Sequence, residues 1–397
     1  MSGEASNVLP YGRQSIDEAD IEAVVAVLRS DWLTQGPAVE KFEREIAEHA
    51  GADYAVAVCN GTAALHVAAI AAGLEPGRRL WTTPNTFVAS ANCGLYCGAE
   101  IDFVDIDQRD GNMSADRLAE RLEDADRKGA LPQVVVPVHF GGQACDMERI
   151  ARLRDRYGFK IIEDACHALG GRDRSGSPVG SCRFSDMAAF SFHPVKIVTT
   201  AEGGAVTTND AGLAGRLRLA RTHGITRDTD VIGEALEDPW AYRQVAVGYN
   251  YRMTDIQAAL GVSQLRRLQT FVDRRNALAR RYDAHLADLP VTPLTVHPDA
   301  VSGYHLYAVR IGENPAGLSR RDVFEALAAH GIRCQVHYIP VHLHPVYRAR
   351  GFKPGDFPEA EAYYQDTLTL PLFPAMTDAD QDRVIDALGR IFSGPRA

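Results

Sequence analysis

Two residues on neighbouring apolar stretches set the chemistry this chain could do. Lys196 lies in Phe190-Ser191-Phe192-His193-Pro194-Val195-Lys196-Ile197-Val198-Thr199-Thr200-Ala201-Glu202-Gly203-Gly204, a run that reads as strand, tight turn, turn and strand. A lysine on a rigid turn between buried strands is poorly hydrated. Its pKa falls, and it becomes a nucleophile or a base, a candidate Schiff-base lysine. A surface-turn lysine is the bland alternative, and Asp164 weighs against it. Phe159-Lys160-Ile161-Ile162-Glu163-Asp164 reads as a buried strand ending in an acid, and a buried acid needs a partner. The ring of pyridoxal phosphate (PLP) supplies one, its pyridinium nitrogen pairing with an Asp while a Lys holds its aldehyde carbon.

Other stretches could complete such a site. Cys59-Asn60-Gly61-Thr62-Ala63 follows an apolar strand and opens a helix. Its backbone N–H groups and the Thr62 hydroxyl would hold a phosphate, and Gly61 would let the backbone come close. An ordinary helix cap explains the same residues. Ser191 could reach that phosphate or could be a small strand residue. Phe87, after Thr83-Pro84-Asn85-Thr86, ends the next strand, where ligands collect in open α/β sheets, and could stack on a flat ring. Neither G-x-G-x-x-G nor G-x-x-x-x-G-K-[ST] occurs, which weighs against dinucleotide and P-loop chemistry. His337, His342 and His344 lie in an irregular, proline-flanked segment without matching carboxylate spacing, which favours a substrate-facing loop over a metal site.

These residues need a scaffold. Apolar runs at 54–59, 80–83, 101–104, 134–138, 160–163, 187–192 and 205–208 alternate with helical patterns at 62–72, 86–96, 115–125 and 147–157. Continuous apolar strands alternating with helices predict an α/β fold, a mostly parallel sheet covered on both faces. Thr254-Asp255-Ile256-Gln257 has the capping-box spacing and predicts one long helix through Leu260, Leu265 and Leu268. A strand at 306–311, a helix at 322–330, a strand at 334–338 and a helix at 378–391 predict a smaller α+β domain. The expected division is a large domain over 1–260, including the N-terminal segment, and a small one over 261–397. The polar stretch 227–242 reads as a long functional loop.

With 397 residues, 46% hydrophobic and 24% charged, the chain matches an ordinary soluble globular protein of two or three domains. A net charge of −10 argues against a nucleic-acid or anionic-membrane surface. The seven cysteines are odd in number, scattered and without C-x-x-C, so neither zinc nor a disulfide framework is expected. No signal peptide or membrane-length apolar run is read, and a reducing cytoplasm is the expected compartment.

The set Asn60-Gly61-Thr62, Glu163-Asp164-Ala165, Ser191 to Lys196, Glu202-Gly203-Gly204 and Gly248-Tyr249-Asn250-Tyr251-Arg252 resembles the DegT family of PLP-dependent sugar aminotransferases, of fold type I. Within it, Tyr11 to Ile16, Trp32-Leu33-Thr34-Gln35-Gly36-Pro37 and His337 to His342 resemble the pseudaminic acid pathway enzymes. Those aminate C4 of a UDP-linked 4-keto-6-deoxy-N-acetylhexosamine with L-glutamate as donor. The resemblance implies roles. Lys196 would bind the aldehyde and shuttle the proton, and Asp164 would pair with the ring nitrogen. His167 would lie near the ring 3-hydroxyl or be a core histidine. Phe87 would stack on the ring, and Gly61, Thr62, Ala63, Ser191 and Asn250 would serve the phosphate. Asn250 would reach into a neighbouring subunit's site, which implies a homodimer. Tyr11, Arg13, Thr34, Arg227, His337, Tyr338 and His342 would meet the sugar nucleotide. The chain departs from the family pattern at Ala201, where Gly is usual, and from the subfamily at Asn85, where an apolar residue near the ring face is usual. A sugar dehydratase reading would need histidine in place of Lys196, and a non-catalytic regulatory homologue would not need the complete cofactor set.

Overall fold

The computed structural model describes residues 8–393. In chain order the elements are α1 (Glu18–Leu28), α2 (Pro37–Ala50), β1 (Tyr54–Val58), α3 (Gly61–Ala71), β2 (Arg79–Thr82), α4 (Ala89–Tyr96), β3 (Glu100–Phe103), α5 (Ala115–Arg127), β4 (Val134–Val136), α6 (Met147–Tyr157), β5 (Lys160–Asp164), β6 (Met187–Ser191), β7 (Gly204–Thr208) and α7 (Ala211–Arg221). There follow β8 (Ile225–Thr226), α8 (Thr229–Ile232), β9 (Arg243–Gln244), α9 (Asp255–Leu265), α10 (Leu268–Leu286), β10 (Val291–Pro293), β11 (Tyr307–Ile311), α11 (Arg320–Ala329), α12 (Pro345–Arg348), α13 (Pro358–Asp366), β12 (Thr367–Leu370) and α14 (Asp378–Ser393).

Seven strands form the central sheet in the order β1-β7-β6-β5-β4-β2-β3. Only β7 runs against the rest, pairing antiparallel with β1 and β6. The fold is the mostly parallel, helix-flanked sheet of fold type I. Its strands are apolar on both faces because both are covered. Val56, Val58, Ile162, Met187 and Val206 meet α3 and α7 on one side, while Ala57, Ala188, Phe190 and Ala205 meet α2 and α9 on the other. β5 and β6 run parallel, with Asp164 opposite Ala189, so the acid stands at the carboxyl end of the sheet. β10, β11 and β12 make a separate antiparallel sheet, packed on α10, α11 and α14.

Two expectations are corrected. The capped helix from Thr254 does not run on through Leu268. It breaks at Arg267, whose backbone leaves the helical region while its guanidinium pairs with Asp17 and Asp20. The stretch 334–338 is not a strand. A single bridge, Gln335 to Thr369, joins it to the sheet, and the chain then turns toward Pro340. The loop 227–242 holds the short α8 and joins β8 to β9, which pair antiparallel. The N-terminal segment also reaches the smaller sheet. Leu9 exchanges backbone hydrogen bonds with Gly331 and Arg333 and is buried in the core of the three-stranded sheet. The expected boundary at 260 falls inside α9, which packs on α1 and α2, so we propose that the large domain runs through α9. All seven cysteines are free thiols.

Candidate active site

Lys196 stands on the turn between β6 and β7. That turn is tied down by hydrogen bonds from Thr200 N (2.9 Å) and Thr199 Oγ1 (3.1 Å) to the Phe192 carbonyl, and from Lys196 N to the His193 carbonyl (2.9 Å). The side chain enters a cavity of about 460 Å³ at the carboxyl end of the sheet. Enclosure by protein pushes the Lys196 ammonium below its ordinary pKa, and the Cys166 thiol and Asp164 partly oppose this. Its amine has one hydrogen-bond partner among the described residues, His305 Nε2 at 3.5 Å.

Asp164 is buried at the end of β5. Its carboxylate accepts from Ser90 Oγ (2.6 Å) and from the Cys166 N–H (3.2 Å), and Thr86 and Ser90 share a further hydroxyl hydrogen bond (2.7 Å). The acid is therefore oriented before any ligand arrives. Behind it, His139 Nε2 lies 2.7 Å from Glu163, and the Asp164 carbonyl accepts from the His139 N–H (3.1 Å).

At the other end of the cavity α3 begins. Asn60 caps it, its side chain accepting from Ala63 N at 2.8 Å. The N–H groups of Gly61 and Thr62 open the helix and have no intrahelical acceptor. A Cβ on Gly61 would lie 2.7 Å from Ser191 Cβ, and one on Gly204 would lie 2.4 Å from the Asn60 carbonyl oxygen. Only glycines allow α3, β6 and β7 to meet this closely, and the meeting point is a bare backbone cradle at a helix N-terminus.

The model of the DegT/DnrJ/EryC1/StrS aminotransferase family matches residues 14–389. The chain belongs to this family. It is 39% identical over 398 residues to the spore coat polysaccharide biosynthesis protein SpsC of Bacillus subtilis, covering 99% of this chain and 100% of that one. Helicobacter pylori PseC, an aminotransferase involved in pseudoaminic acid biosynthesis, superposes with a TM-score of 0.87 at 29% identity, over 97% of this chain and 99% of that one. Spr1654 of Streptococcus pneumoniae, described as a candidate sugar aminotransferase, has been solved in a PLP form that superposes at 0.85 with 29% identity, over the same shares of the two chains.

The aminotransferase's cofactor is PLP, and the cavity fits it. It offers an amine, an oriented carboxylate facing the same space, a backbone cradle for a phosphate, and a buried imidazole, His167, whose Nδ1 has no partner among the described residues. Of the residues expected from sequence, Tyr11, Gly61, Thr62, Phe87, Asp164, His167, Ser191, Lys196 and Tyr338 line this one cavity. Phe87 is exposed at its rim. His337 is buried beside Tyr11 and Tyr338 and bonds Thr369 Oγ1 through Nδ1 (2.8 Å).

Others are not brought there. His342 is fully buried, bonded to Glu361 at 2.9 Å and edge-on to Phe357, because the segment after Pro340 turns into the core. Ala63 does not line the cavity, and its N–H donates to the Asn60 side chain. Asn85 is buried away from the cavity, its amide donating to the Gly111 carbonyl at 3.0 Å. Arg13, Thr34, Arg227 and Asn250 are exposed and line no part of the cavity. Sequence reasoning missed His305, Cys166 and Glu202, which do line it. His305 lies 109 positions from Lys196, so no local spacing joins them. The one available signal was a titratable residue, between Tyr304 and Leu306, at the start of an apolar strand.

Proposed function

We propose that this aminotransferase moves the amino group of L-glutamate to C4 of a UDP-linked 4-keto-6-deoxy-N-acetylhexosamine, as in pseudaminic acid biosynthesis. One observation carries the reading. Two of the stretches that resemble that subfamily, Tyr11 to Ile16 and His337 to His342, each place a tyrosine, Tyr11 and Tyr338, on the wall of the Lys196 cavity.

Bound PLP supplies an electrophilic carbon and a ring that takes up the electron pair left when a proton departs the substrate carbon. The chain's residues do the rest. Lys196, its pKa lowered by burial, gives up its proton more readily than an exposed lysine, and once free and deprotonated its amine can take a proton from the donor's Cα and return it elsewhere. Asp164, fixed by Ser90 and the Cys166 N–H, presents its carboxylate to the ring nitrogen. Gly61, Thr62 and Ser191 would hold the phosphate, and Phe87 and Tyr338, on the same cavity, would limit water's access to the cofactor.

Arg13, Thr34, Arg227, His337 and Asn250 fit this reading as residues meeting the sugar nucleotide or a second copy. The exposed apolar side chains of Trp240 (71%) and Val247 (81%) on the α8 to β9 region support a homodimer in which that region is covered. A Trp240→Asp chain should sediment as a monomer, and an unchanged dimer would refute that interface.

SpsC, at 39% identity, favours a second reading, a different nucleotide-linked keto sugar. A panel of UDP- and dTDP-linked 4-keto and 3-keto sugars, assayed for 2-oxoglutarate release from glutamate, separates the two. Turnover confined to dTDP-linked or 3-keto sugars would overturn the first.

A further inference from the structure

His305 is the only group that hydrogen-bonds the Lys196 amine among the described residues, and it comes from a distant part of the sequence. It lies on the approach to β11, and its backbone is held from three directions. The buried Arg275 of α10 donates through Nη1 to the carbonyls of Tyr304 (3.0 Å), His305 (3.4 Å) and Leu372 (3.2 Å). The flanking N–H groups of Gly303 and Leu306 donate to the carbonyls of Gly142 (2.9 Å) and Gly141 (3.1 Å). Among the described residues Arg275 has no carboxylate partner, and its Nε and Nη2 have no hydrogen-bond partner. Leaving donors unpaired in a core is costly, and this guanidinium is spent on fixing one short segment.

From that anchored position His305 points Nε2 at Lys196, with the His167 ring 4.5 Å away and His167 Nε2 3.3 Å from the Tyr338 hydroxyl. We infer that His305 is the hydrogen-bond acceptor that parks the Lys196 amine whenever that amine is not joined to the cofactor. It is a positioning residue, and this rests on the function proposed above. The physical need is plain. A freed lysine has a flexible four-carbon stem, and an unheld amine loses the geometry that proton return requires. The groups facing this pair are Asp164 at the end of β5, Cys166 just after it, His167 and Tyr338 from the cavity wall, the buried His337, and Arg275 from α10. Burial, with the charges of Lys196 and Arg275 nearby, keeps His305 uncharged, so it accepts from the ammonium instead of repelling it. No proton changes hands in the parked state.

The test uses the cofactor-free protein as well as the holoenzyme. Cyanate labelling of Lys196 across pH, read by peptide mass spectrometry, gives the midpoint at which the amine loses its proton. His305→Phe removes the acceptor and should lower that midpoint by about one pH unit, the size of a hydrogen bond to a charged group. His305→Gln keeps an acceptor at similar reach and should restore it, whereas the shorter His305→Asn should not. Should His305→Phe fail to fold, the Gln and Asn pair carries the test. In the holoenzyme, the glutamate half-reaction should slow by roughly tenfold with Phe or Asn and recover with Gln. Equal midpoints in wild type, Phe, Asn and Gln chains would overturn the inference. Because the midpoint is measured without cofactor, it can fail while PLP still attaches to Lys196, and the proposed function can fail while the midpoint shifts.

Discussion

Ala201 holds a φ of +66°, just after the turn that carries Lys196, in a region where a Cβ collides with the backbone. Its N–H is bonded to Thr199 Oγ1 at 3.0 Å, so the turn keeps this geometry in spite of the side chain. Ala201→Gly relieves that strain, and unfolding in denaturant should show a gain of about 1 kcal/mol. A loss of stability would mean that the alanine, by restricting the unfolded chain, matters more than the strain. Sequence marked Ala201 as unusual without giving its conformation, because a positive φ leaves no trace in residue type unless glycine occupies it. Lys196 and Asp164 were legible for the opposite reason. Each is a titratable residue ending an apolar run, and burial follows from the run. His305 was not legible, since its partner is set by how two sheets meet.

At the scale of elements, the alternation of apolar strands and amphipathic helices located the central sheet closely, because strands covered on both faces must be continuously apolar. What failed depended on distant contacts. The α9–α10 break is enforced by Arg267 reaching back to Asp17 and Asp20, and 334–338 is pulled out of strand geometry by the turn toward the core. Thr254 and Gln257 cap α9 reciprocally, and that box was readable because capping is local. The junction of α3, β6 and β7 yields a sharper expectation. Gly61→Ala puts a Cβ 2.7 Å from Ser191 and must push the start of α3 off the sheet, opening the phosphate cradle. PLP affinity, measured by fluorescence titration, should fall at least about tenfold, a loss of about 1.4 kcal/mol. Unchanged affinity would place the phosphate elsewhere.

Over the whole molecule, three buried imidazoles near Lys196 impose a pH limit. His167, His305 and His337 are all lowered by burial first and by the Lys196 charge next, His337 to about 3. Each stays neutral in the fold but takes a proton near pH 6.5 when unfolded, so their stability is full above that value and falls as pH drops below it. One unit below, each costs about 1.4 kcal/mol. Asp110, pushed up to about 6 by burial, and Asp105, also raised by burial, act in the opposite sense, while His66, lowered by burial, adds to the three. The cofactor-free protein should therefore unfold at lower temperature at about pH 5.5 than at about pH 7.5, and a flat profile would show that these rings titrate normally in the fold. The account as a whole depends on one attachment. Borohydride reduction of the PLP-loaded protein, followed by peptide mass spectrometry, should place the pyridoxyl group on Lys196 and nowhere else, with no adduct in Lys196→Ala. A reduced adduct on any other lysine, or none on a folded, PLP-saturated protein, would contradict it.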